Sequence, residues 1–161
     1  MTRPLVAIVM GSESDLTIMN ESARILEKFD VPYEVKIASA HRSPKLVNVF
    51  SMGAEDAGIE VIIAGAGSAA HLPGVIASET VLPVIGVPID SSPLKGFDSL
   101  LSIVQMPGGV PVATMAVGAA GAKNAALFAV QILSRKDKAL LEKFKQYKRD
   151  MADAIEKKQK K

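Results

Sequence analysis

Leu5-Val6-Ala7-Ile8-Val9-Met10, broken at once by Gly11-Ser12-Glu13-Ser14-Asp15, is an unbroken apolar run that ends in a small polar loop. A run with no polar alternation suits a parallel strand buried on both faces. Helical spacing follows over Ser14–Phe29, with Leu16, Met19, Ala23 and Leu26 on one side and Glu21, Arg24, Glu27 and Lys28 largely on the other. Pro32 stops that segment.

The same alternation repeats along the chain. Tyr33–Ala38 reads as a strand. Pro44 opens a helix carrying Leu46, Val47, Phe50 and Ala54, which Gly58 caps. Glu60–Ala64 is a third strand, Ala69–Thr80 a helix with a Pro-Gly pair that could bend it, and Pro83–Val87 a fourth strand. Leu94–Val104 follows as a short helix, Val112–Met115 as a short fifth strand, and Ala119–Leu133 as an Ala-rich buried helix. Lys136–Lys158 is a last helix with the stripe Leu140, Phe144, Tyr147, Met151 and Ile155, fraying beyond Ile155. Strands alternating with helices, joined by right-handed crossovers, predict an α/β fold. It is a three-layer flavodoxin-like parallel sheet with helices on both faces and an extra C-terminal helix, in one domain over residues 1–161.

Composition narrows the function. Hydrophobic residues make up 48% and charged residues 22%, enough apolar material for a buried core. Without Cys there is no disulfide, thiolate metal site or Cys nucleophile. Met1-Thr2-Arg3-Pro4 leads straight into the first strand without a cleavage pattern, so a cytoplasmic protein is expected. The apolar stretch Val112–Leu133 is interrupted by Lys123, Asn124, Gly118 and Gly121 and is mostly Ala, which favours a buried helix at a subunit contact over a membrane span. Residues 135–161 carry eleven Lys/Arg against five Asp/Glu, whereas residues 1–134 carry eight against twelve. That basic tail reads as the solvated face of a terminal helix. With five Phe, two Tyr and no Trp there is no stacking array for nucleic acid.

In an open parallel sheet ligands bind beyond the carboxyl ends of the strands, so the loops there carry the functional information. Gly11-Ser12-Glu13-Ser14-Asp15 offers hydroxyls and helix N–H groups to an anion, or is simply a helix cap. Ser39-Ala40-His41-Arg42-Ser43-Pro44 sets a proton-transferring imidazole beside a guanidinium suited to phosphate or carboxylate. Gly65-Ala66-Gly67-Ser68-Ala69-Ala70-His71-Leu72-Pro73-Gly74 lets the backbone approach a ligand closely. Its His71 fits equally a catalytic role or a hydrogen bond in a helix start or interface. The Gly/Pro-rich loops at 86–93 and 105–111 could wall a pocket or merely connect elements. Two His and scattered carboxylates do not form metal-ligand spacing, and there is no nucleophile elbow. The residues by themselves point to an α/β domain with a small anionic ligand, a His acid/base, and no metal or covalent nucleophile.

Taken in order, Gly11-Ser12-x-Ser14-Asp15, Ser39-Ala40-His41-Arg42-x-Pro44, the run from Ala64 to Gly74, Gly86-Val87-Pro88 and Ser102-Ile103-Val104-Gln105-Met106-Pro107 resemble the PurE family of 5-(carboxyamino)imidazole ribonucleotide mutases over about residues 5–134. The resemblance implies an enzyme of purine synthesis acting on an aminoimidazole ribonucleotide, with no nucleic-acid or membrane partner. It also implies a homo-octamer with sites shared between neighbours, its C-terminal helix (about 136–158) packing on them. Carried over, His41 is the general acid/base. Ser12 and Arg42 suit the phosphate, Asp15 suits a ribose hydroxyl, and Ser39 and Ala40 belong to the same site. Gly67, Ser68, Ala70, His71 and Leu72 line the imidazole and carboxylate pocket. Leu16, Ser68 and Ser43 stand where the family often has Trp, Gly and Thr, which bears on fine specificity more than on the reaction. His-Arg, where His-Lys is expected of the related carboxylase that uses CO2 directly, favours the mutase.

Overall fold

The computed structural model describes residues 3–159, so residues 1–2 and 160–161 at the ends of the expected domain lie outside it. β1 (Val6–Met10) is the hub. All five of its residues are fully buried, and successive side chains enter opposite layers. Val6, Ile8 and Met10 face Met19 and Leu26 of α1 (Leu16–Lys28) and the alanines of α5 (Ala119–Leu133). Ala7 and Val9 face Val47 and Phe50 of α2 (Pro44–Ala57), with Leu72 and Ile76 of α3 (Leu72–Glu79) and Ile103 of α4 (Phe97–Val104).

β2 (Tyr33–Ile37), β3 (Val61–Gly67), β4 (Val84–Ile89) and β5 (Ala113–Thr114) complete a parallel sheet in the order β2-β1-β3-β4-β5. The flavodoxin-like three-layer expectation is met. Because the chain leaves β1 for β2 on one side and returns to β3 on the other, the loops after β1 and β3 part over a crevice.

Several boundaries differ from those expected, each for a local reason. β3 continues past Ala64 to Gly67 because Gly65, Ala66 and Gly67 pair with Val87, Pro88 and Ile89, which carries β4 two residues beyond Val87 as well. Pro88 is tolerated because β5 pairs only with Ile85 and Gly86. Its missing N–H faces that open flank, where its carbonyl accepts the Gly118 N–H at 2.8 Å. α3 begins at Leu72, not Ala69, since Ser68 takes a φ of 52°, and Pro73 then falls in the first turn and bends nothing. α4 begins at Phe97, not Leu94, because Lys95 and Gly96 are left-handed. A 3-10 turn at Glu13–Asp15 precedes α1. The fifth strand shrinks to Ala113–Thr114.

α5 is held on α1 by a hydrogen bond from Ser22 Oγ to the Ala122 carbonyl at 2.7 Å. Gly121 admits the Ala116 carbonyl where a Cβ would collide with it. α6 (Lys138–Gln159) starts where the Asp137 carboxylate accepts the N–H groups of Ala139 and Leu140. Its stripe splits in two. Leu140 and Phe144 are buried, and Phe144 and Tyr147 pack with Phe29 at centroid distances of 5.9 and 5.5 Å, whereas Met151 and Ile155 are exposed. The helix runs on past Ile155, where fraying is expected. Among the described residues no helix is long and apolar enough to cross a membrane.

Candidate active site

The crevice at the carboxyl ends of the strands opens into a cavity of about 290 Å³. Three loops build it, each placed by the strand it leaves. The loop after β1 supplies Ser12 and Asp15. The loop after β2 supplies Ser39, Ala40, His41 and Arg42, and the end of β3 with its turn into α3 supplies Gly67, His71 and Leu72. The remaining two expected residues stand outside the wall: Ser68 is exposed with its backbone left-handed, and Ala70 is buried in the core beneath the loop.

The loop after β2 is braced internally. The Ser39 N–H donates to Ser43 Oγ at 2.9 Å, and Ser43 Oγ donates back to the Ser39 carbonyl at 3.1 Å. Ser39 Oγ in turn accepts from the Arg42 backbone N–H at 3.2 Å and from its Nε at 3.4 Å. Arg42 Nη2 donates across to the Gly11 carbonyl at 2.8 Å, which ties this loop to the loop after β1. The guanidinium is therefore fixed in place over the end of β1 and keeps Nη1 for a ligand, having no other protein partner there among the described residues. A guanidinium held in this way can present a charged N–H donor to an anion.

Ser12 and Ser14 join hydroxyl to hydroxyl at 2.9 Å, and Ser12 Oγ also caps the 3-10 turn. Asp15 is buried beside them. Burial pushes its carboxyl above the ordinary aspartate range, and the Ser14 hydroxyl, a backbone hydrogen bond at Ser12 and the Arg42 charge only partly offset that.

His41 Nε2 and His71 Nδ1 are 2.7 Å apart, with their rings nearly perpendicular at 78°. The site thus sets the Arg42 guanidinium and the Ser12 hydroxyl at one end and a hydrogen-bonded pair of imidazoles beside them. Gly11, Ser14, Ala66, Ala69 and Ser91 also line the cavity, beside the residues that the family resemblance implies. Four lie inside loops already marked by motif. Ser91 follows β4, in the Gly/Pro-rich loop at 86–93 that the sequence offers as a possible pocket wall, and here it does line the cavity. Among the described residues no group of three or more His, Asp or Glu is placed to hold a metal ion.

Residues 5–154 match the family described as AIR carboxylase. A Pyrococcus horikoshii protein named N5-carboxyaminoimidazole ribonucleotide mutase is 61% identical over 158 residues, covering 98% of this chain and 88% of that protein. Proteins of the same name from Pseudomonas aeruginosa and Escherichia coli are 54% and 53% identical over 94% and 93% of this chain, and 93% and 89% of their own lengths. A crystal structure of Treponema denticola PurE superposes with a TM-score of 0.87 at 31% identity, covering 96% of each chain.

Proposed function

The chain belongs to the AIR carboxylase family, and from that premise we propose that it is an N5-carboxyaminoimidazole ribonucleotide mutase with His41 as its proton shuttle. The observation that carries the activity is identity of 53–61%, sustained over nearly the whole chain, with proteins of that name. The chemistry suits the cavity. The carbamate C–N bond breaks, CO2 leaves, and the electron pair stays on the exocyclic nitrogen, which takes a proton from the His41 imidazolium. Ring C4 then forms a C–C bond with the retained CO2 and returns its own proton to the same imidazole. One proton is lent and one recovered, so a single shuttle beside both atoms serves both steps, and CO2 retained in the cavity stays at high effective concentration.

In this reading Arg42 and Ser12 hold the phosphate and Asp15 takes a ribose hydroxyl. Ser39 and Ala40 shape the His41 loop. Gly67, His71 and Leu72 face the imidazole, with Ser68 and Ala70 setting the course of that loop. The working form is a cytoplasmic homo-octamer of one-domain subunits whose C-terminal helices reach their neighbours, which gives exposed Met151 and Ile155 a partner. A stable monomer in sedimentation would overturn the shared-site arrangement.

The direct test supplies N5-carboxyaminoimidazole ribonucleotide without ATP or bicarbonate and follows the C4-carboxylated isomer. Rapid conversion is expected. Carboxylation of aminoimidazole ribonucleotide only when CO2 or bicarbonate is added would move the protein to direct carboxylation. Inactivity with both would leave a nucleotide-binding module.

A further inference from the structure

Ser91 lies just past the end of β4 and lines the same cavity as Arg42 and the two imidazoles. Neighbouring serines are occupied: Ser92 Oγ accepts the Leu94 N–H at 3.1 Å, and Ser99 Oγ donates to the Ile89 carbonyl at 3.0 Å. Ser91 Oγ has no protein partner among the described residues and its side chain is exposed. It also sits over Gly67, in the space that a Cβ at position 67 would take. A glycine at the end of β3 therefore lets a hydroxyl from β4 lean across toward the loop that carries His71.

The order of the strands says which part of the substrate that hydroxyl meets. Arg42 and Ser12 follow β2 and β1, while Ser91 follows β4, on the far side of β3. Strands about 4.8 Å apart put the ends of β1 and β4 about 10 Å from each other, a span that suits an extended mononucleotide. A nucleotide with its phosphate at Arg42 lays its base toward Gly67 and Ser91. Apart from His71, the other side chains on that wall are small or apolar: Ala66, Ala69 and Leu72. A carboxylate placed there needs a donor.

We propose that the Ser91 hydroxyl donates a hydrogen bond to the migrating carboxylate of the substrate, so that the site prefers carboxylated to uncarboxylated aminoimidazole ribonucleotide. The inference rests on the mutase reading and adds a specificity-determining residue to it.

The test titrates the full chain and its Ser91→Ala variant with aminoimidazole ribonucleotide and with its C4-carboxylated form. The exposed position makes a folding defect in the variant unexpected, and matching melting curves would check that. The variant should bind the carboxylated nucleotide about tenfold more weakly, the scale of a lost hydrogen bond to a charged group, and the uncarboxylated one unchanged. Equal loss for both nucleotides, or loss for neither, would overturn the role given to Ser91 and leave the mutase reading standing. A wild-type chain that binds neither nucleotide would bring down both.

Discussion

His41 Nε2 and His71 Nδ1 meet at 2.7 Å although one imidazole follows β2 and the other follows β3, strands that flank β1 and never touch each other. Two ring nitrogens at that distance share one proton: one must donate and the other accept. The tautomer of each ring is thereby set by the other, and His71 is placed to orient His41, the shuttle proposed above. Replacing His41 with Asn removes the acid/base itself, and kcat should fall by about 10²–10⁴. Replacing His71 with Ala removes the hydrogen bond that orients the other ring, and kcat should fall by about tenfold. Steady-state kinetics on both variants checks the ranking; an inverted order would make His71 the shuttle.

Arg42 reaches two acceptors at once, the Gly11 carbonyl and Ser39 Oγ, from a planar guanidinium. A lysine ammonium is a point charge and cannot bridge them while also meeting a phosphate. Arg42→Lys should therefore raise KM by about tenfold or more and change kcat less, since the lost contact binds ground state and transition state alike. An unchanged KM would remove Arg42 from phosphate binding.

Burial disfavours the charged form of Asp15. A carboxyl whose folded value lies above its unfolded one binds its proton more readily in the folded chain. Stability then falls as pH rises from the ordinary carboxylate range through the raised value, and the cost is fully present above it. Asp15→Asn removes that cost. Its melting temperature should exceed that of the parent at pH 7, by about 2–4 °C for each kcal/mol relieved, with the gain closing toward about pH 3 as both states of the parent become protonated. The same variant should bind nucleotide more weakly, because the ribose hydroxyl proposed to meet Asp15 would find a neutral amide oxygen in place of a charged carboxylate. Melting curves across that pH range decide the sign, and a gain that widens in acid would refute it.

These residues also mark what could be read along the chain and what could not. The loops after β1 and β2 were legible because each joins a strong strand signal to a cluster of polar residues a few positions long. Gly65-Ala66-Gly67 reads as loop in the sequence, since small residues have no strand preference of their own. They are strand because β4 pairs with all three of them and β1 with Gly65. Within the next turn, which of Ser68, Ala69 and Ala70 faces the cavity depends on one left-handed residue, Ser68, that periodicity does not encode. The His41–His71 contact and the place of Ser91 over Gly67 are products of strand order and could be found only in three dimensions.

The C-terminal helix offers a test of packing apart from the site. Phe29, Phe144 and Tyr147 form one aromatic cluster that fastens α6 to the end of α1. Phe144 is buried, while Ile155, eleven residues farther on the same stripe, is open. Phe144→Ala leaves a cavity between two aromatic rings and should cost about 3 kcal/mol, at the lower end for a buried Phe because a terminal helix can shift to close the gap. That corresponds to a fall in melting temperature of about 6–12 °C in a chain of this size. Ile155→Ala removes no contact within the chain and should leave the melting temperature of an isolated subunit within about 1 °C. If the helix packs on neighbouring subunits, the same substitution should instead lower the melting temperature of the assembled protein and weaken its assembly, so calorimetry combined with sedimentation on these two variants separates packing within a subunit from packing between subunits.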